Sequence, residues 1–79
     1  MFINKASSGK NNLCGEKVAL LRKEKNLSQR ALAEKLQLFG LNVDKNAVQR
    51  IEAGLRFVTD IELVALKNVL EVSYEELLS

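Results

Sequence analysis

The stretch "FGLNVDKNAVQRIEAG" occupies residues 39–54, and its reading decides the fold. In its second half Val48 and Ile51 stand three apart with Ala47 beside them, the spacing of one face of a helix. Lys45, Asn46, Gln49, Arg50 and Ala53 fall on the opposite face, which is polar, cationic and crowded with amide and guanidinium groups. Asp44 is a natural N-cap, because its carboxylate can accept an otherwise unpaired N–H of the first turn. Gly54 supplies the stop, so a helix is predicted over about 45–53. The first half reads as a connection, Leu41-Asn42-Val43, that follows a second stop at Gly40.

Working outward, Leu32, Leu36 and Phe39 are spaced by four and three and share a face with Ala33. They predict a helix from Gln29 to Leu38 or Phe39, capped by Ser28. Asn26, just before it, tolerates the left-handed conformation a sharp turn needs. A first helix is predicted over about 13–25, with Val18 and Leu21 inward and Leu27 just past its end. Beyond the opening stretch, residues 55–58 read as a loop. Thr59 caps a helix over about 60–70, where Asp60 and Glu62 suit the positive end of the helix dipole. This helix is apolar nearly all round (Ile61, Leu63, Val64, Ala65, Leu66, Val69, Leu70), which predicts a central or partly interfacial position. Ser73 and Glu76 form an S-x-x-E capping box for a short fifth helix, whose apolar face is Tyr74, Leu77 and Leu78. Residues 1–12 are polar and aperiodic and read as a flexible arm ahead of one domain over 13–79.

The chain has 79 residues, no proline and 47% apolar residues. That composition predicts a single, compact, all-α domain with a thin core. Cys14 is the sole cysteine, so no intrachain disulfide can form, and it reads as a small apolar helix residue. The absence of histidine argues against zinc fingers and most acid–base sites. No metal, no cofactor and no enzymatic activity are expected. No run reaches the ~20 apolar residues of a membrane helix. The start lacks the apolar region of a signal peptide, so a cytoplasmic protein without a membrane partner is expected. Charge is unevenly placed. Residues 1–58 hold eleven Lys and Arg against five Asp and Glu, and residues 59–79 hold one against five, so a segment of net +6 precedes one of −4 within the overall +2. This polarity fits a polyanionic partner on one side.

Two charges stand on inward faces. Glu52 follows Val48 by four, and Arg22 follows Val18 by four. A charge buried there without a partner costs several kcal/mol. Either the two pair with each other, tying the first helix to the third, or each reaches out to water. Spacing alone leaves both open.

Taken in order, "LRKEKNLSQRALAEKL", "NAVQRIEAG" and "LKNVLEVSYEELL" resemble the Xre-type, lambda-repressor-like helix-turn-helix regulators of bacteria and phages. The resemblance runs from about Gly15 to Leu78, and it is the order of the pieces that makes it specific. It implies five helices, with the second and third as the DNA-binding pair, and an Arg22–Glu52 ion pair. It implies that Lys45, Asn46, Gln49 and Arg50 face the major groove, and that Gln29 reaches a phosphate or a base edge. It also implies that Leu55 and Arg56 lie along phosphates. The sequence departs from the pattern in one place. The span from Leu36 to Val48 is longer by about five residues than a motif with a three- to four-residue turn allows. The fold accommodates this if the second helix extends and Phe39, Leu41 and Val43 turn back onto the core.

The chemistry of the proposed face suits DNA. Arg can fork onto guanine, Asn or Gln onto adenine, and Lys onto guanine or phosphate. Arg30, Lys35 and Arg56 are further phosphate candidates, which add affinity without sequence information. One such domain reads only a few base pairs, so a homodimer on a two-fold site in double-stranded DNA is expected. Leu66, Leu70, Tyr74 and Leu78 are the candidate dimer interface. The competing reading is a protein-interaction module, an antitoxin-like subunit or part of a larger regulator, that binds its partner through the last two helices.

Overall fold

The computed structural model describes residues 9–78. It has five helices: α1 (Gly15–Glu24), α2 (Gln29–Leu38), α3 (Lys45–Glu52), α4 (Asp60–Leu70) and α5 (Tyr74–Leu78). No strand occurs among the described residues. Phe2 and Ile3 of the expected arm lie outside them.

Short polar side chains start most of these helices. Ser28 Oγ accepts from the Ala31 N–H at 3.0 Å, and Asp44 Oδ1 from the Ala47 N–H at 2.8 Å. Thr59 and Glu62 form a full reciprocal capping box. Ser73 Oγ accepts from the Glu76 N–H at 3.1 Å. The stops are equally local. Asn26 has φ +58°, and Gly40 and Gly54 have φ +90° and +78°, a region glycine enters without the Cβ clash other residues suffer. Glu71 ends α4 at φ +57°, at a steric cost of about 1–2 kcal/mol.

The helices close around one core. Val18 and Leu21 of α1, Leu32, Ala33 and Leu36 of α2, Ala47, Val48 and Ile51 of α3, Ala65, Leu66 and Leu70 of α4, and Leu77 of α5 are all buried. Each fully buried leucine contributes roughly 1.5–3 kcal/mol of hydrophobic stabilisation. Cys14 is buried just before α1, where desolvation pushes its thiol pKa upward.

Three expectations need correction. α1 begins at Gly15, and Leu13 lies outside it, exposed to solvent. Phe39 does not join the inward face of α2, and 54% of its surface remains exposed. The helix ends at Leu38 and the chain swings away at Gly40, so Phe39 leaves the 3.6-residue period that would have buried it. Leu66 and Leu70 cannot form a dimer interface, because both are 0% exposed inside the monomer's own core. The all-round apolar helix is instead split, with Leu66 and Leu70 inward and Ile61, 72% exposed, outward.

Candidate nucleic-acid interface

α2 and α3 pack against each other and carry the exposed polar surface. The connection between them, residues 39–44, is held in place by its own bonds. The Leu41 N–H donates to the Leu36 carbonyl at 3.0 Å, and Gln37 Nε2 donates to the Val43 carbonyl at 2.8 Å. Val43 is buried and Leu41 half-buried, so the connection turns back onto the core through these two residues. α2 runs two residues past Leu36, to Leu38, and so takes up part of the extra length. A pinned loop carries the rest, with Gln37 as its clamp. Gln37 gave no sign of this in the sequence, since its partner is set by the loop path.

On α3, burial of Ala47, Val48 and Ile51 turns Lys45, Asn46, Gln49 and Arg50 out to solvent. Among the described residues, no hydrogen bond or ion pair engages these four side chains. Asn46, Gln49, Arg50 and Ala53, with Leu55 of the exit loop, line a shallow cleft of about 210 Å³. A second cleft, about 380 Å³, runs between α2 and the start of α3 and carries Arg30 and Lys45 together with Glu34 and Asp44. Lys35 is exposed on α2.

Behind this surface lies an ion pair. Arg22 Nε donates to Glu52 Oε2 at 2.6 Å, and its Nη2 to Oε1 at 3.1 Å. The side chains are only 11% and 8% exposed. Arg22 Nη1 also donates to the Leu27 carbonyl at 2.7 Å, so the guanidinium joins α1, α3 and the turn before α2. Gln29 Nε2 donates to Glu52 Oε1 at 3.0 Å. One N–H of the Gln29 amide thus serves the fold.

Arg56, a phosphate candidate, is also tied into the fold by an ion pair. Its Nη2 meets Glu62 Oε2 at 2.5 Å, and Glu62 is buried in the α4 capping box. A buried carboxylate therefore balances the Arg56 charge, and its guanidinium orders the loop before α4. Leu55 is exposed beside the polar face of α3.

The sequence reading also missed the segment ahead of α1. Asn11 and Asn12, expected within a flexible arm, bond to the end of α3 and its exit loop. Asn12 Nδ2 donates to the carbonyls of Ile51 and Arg56 at 3.1 and 2.7 Å, and Asn12 Oδ1 accepts from the Gly15 N–H at 2.8 Å. Asn12 thereby supplies the cap that Cys14 cannot. Lys10 pairs with Glu16 at 2.5 Å and lowers the pKa of that exposed carboxyl.

A helix-turn-helix family model matches residues 18–77, most of the chain. The chain belongs to the Xre-type, lambda-repressor-like helix-turn-helix family. Two solved structures are similar to this helix-turn-helix domain. The DNA-binding domain of BldD is 30% identical with a TM-score of 0.75, over 94% of this chain and 100% of that one. The restriction-modification controller protein C.AhdI from Aeromonas hydrophila is 30% identical with a TM-score of 0.69, over 80% of this chain and 88% of that one. No curated protein matches. The helix-turn-helix domain is thus that of a DNA-binding transcriptional regulator, not an enzyme. Among the described residues, no helix is long and apolar enough to cross a membrane, and no side-chain group is arranged to hold a metal.

Proposed function

We propose that the protein is a sequence-specific repressor acting in the cytoplasm, which inserts α3 into the major groove. Lys45, Asn46, Gln49 and Arg50 meet base edges, and Arg30, Lys35 and the second N–H of Gln29 meet phosphates. The observation that carries this reading is the α3 face itself. It presents four exposed polar side chains that form no hydrogen bond or ion pair among the described residues, on a helix whose other face is locked into the core. A solvated surface helix tolerates such a face, but this one sits on the second helix of a helix-turn-helix pair.

Arg50→Ala is expected to cost about 1–3 kcal/mol of specific binding and to relax preference at one base pair. Fluorescence anisotropy on a selected duplex and its single-base variants checks this. Equal loss on every sequence would make Arg50 a phosphate contact instead.

A homodimer on a two-fold site follows from the small footprint of one domain. With Leu66 and Leu70 inside the core, Tyr74 and Leu78, both partly exposed, are what remains of the expected interface. Sedimentation is expected to find two chains per duplex. A single chain at saturation would overturn the dimer.

A second reading, a protein-interaction module, draws on the apolar cleft lined by Phe39, Leu41, Ile61, Val64 and Ala65. Loss of function on substitution of Ile61, with α3 variants unaffected, would favour it.

A further inference from the structure

We infer that Asn11 and Asn12 are positioning residues for DNA reading, a role that rests on α3 being the reading helix. α3 is eight residues long, and the chain leaves it through Gly54, Leu55 and Arg56 without entering another helix. Carbonyls at such an exit need donors from elsewhere. The segment ahead of α1 supplies them. The Asn11 N–H donates to the Gly54 carbonyl at 2.8 Å, and Asn11 Nδ2 to the Leu55 carbonyl at 2.9 Å. Asn12 Nδ2 takes the carbonyls of Ile51 and Arg56. Two adjacent asparagines therefore hold four carbonyls, from the last turn of α3 through its exit loop. The Lys10 stem lies across Gly54, where an added Cβ would come within 2.7 Å of Lys10 Cδ.

The clasp bears directly on the reading face. Leu55 forms one wall of the cleft that contains Asn46, Gln49 and Arg50. The N–H groups of Leu55 and Arg56 both point to the Arg50 carbonyl, at 2.9 and 3.4 Å. The exit loop and the backbone of Arg50 are thus one bonded unit, and the asparagines fix that unit against α1. A base contact depends on placement to roughly half an ångström, whereas phosphate attraction is more tolerant. Loosening the clasp should therefore erode discrimination and spare general affinity.

Asn12→Asp separates the clasp from helix capping. Its carboxylate still accepts from the Gly15 N–H, but it sets an anionic oxygen where Nδ2 faced two carbonyl oxygens. Affinity is measured for the duplex retained most strongly from a random pool and for an unselected duplex of equal length. For Asn12→Asp, affinity for the retained duplex should fall about tenfold, the size of one lost base contact. Affinity for the unselected duplex should change less than about twofold, because the phosphate contacts persist. Leu77→Val, a core change in α5, should keep the wild-type ratio. A wild-type ratio in Asn12→Asp, or an equal loss in Leu77→Val, overturns the positioning role. Should Asn12→Asp fail to fold, Asn11→Ala retains the backbone bond to Gly54 and removes only the bond to Leu55. Its ratio should still fall, and an unchanged ratio overturns the role. A wild-type protein that does not distinguish the two duplexes would remove the DNA-reading assignment and the clasp with it.

Discussion

Glu52→Ala should cost about 3–5 kcal/mol, because it strands the Arg22 guanidinium in a nearly closed site. A domain of this length is held by roughly 4–12 kcal/mol in total, so much of the variant would be unfolded. The size follows from geometry. Arg22 and Glu52 meet through two hydrogen bonds, both are almost fully covered, and Gln29 completes the carboxylate. An exposed ion pair contributes only about 0–1 kcal/mol, and the solvated Lys10–Glu16 pair belongs to that class. Replacing both partners with apolar residues, Arg22→Met with Glu52→Leu, should recover most of the loss, since no unpaired charge remains. Urea unfolding of Glu52→Ala and of the double variant checks this. A cost below about 1 kcal/mol for Glu52→Ala would mean that water reaches the pair.

Gly15→Ala is the second large effect, and its sign is the informative part. Alanine in place of glycine normally stabilises a helix by up to about 1 kcal/mol. Here the added Cβ would fall onto the Ile51 carbonyl oxygen and within 2.9 Å of Asn12 Oδ1. Backbone at the end of α3 cannot yield as a flexible side chain would. We expect a net loss of about 1–3 kcal/mol by thermal or urea unfolding. A gain in stability would show that α1 and α3 are not pressed together at this point.

The two predictions also mark what the sequence could and could not disclose. Ser28, Asp44, Thr59 and Ser73 were legible as caps because each acts on a backbone N–H three residues away. Gly40, Gly54 and Asn26 were legible as stops because these residue types enter the left-handed backbone region at little cost. The exposed face of α3 followed from Val48 and Ile51. Arg22 and Glu52 each stood out as a charge on an inward face, though spacing left their pairing open and the family resemblance pointed to it. Helix α4 was harder. With apolar residues on every side, periodicity did not say which of them the other helices would cover, and Leu66 and Leu70 were assigned outward when they belong to the core. Phe39 failed because an inward period was carried one residue beyond the helix end. The bonds of Asn11 and Asn12 were not legible, because they depend on chain that folds back on them. The Asn12 acceptors lie 39 and 44 residues away, and no local pattern encodes them.

The most direct measurement is selection from a random duplex pool at moderate salt, with wild-type protein and Arg50→Ala in parallel. A reading helix on a dimer predicts an inverted repeat in the retained sequences, with preference lost at one position of each half-site in Arg50→Ala. No enrichment, or identical output from the two proteins, would contradict sequence reading through the α3 face.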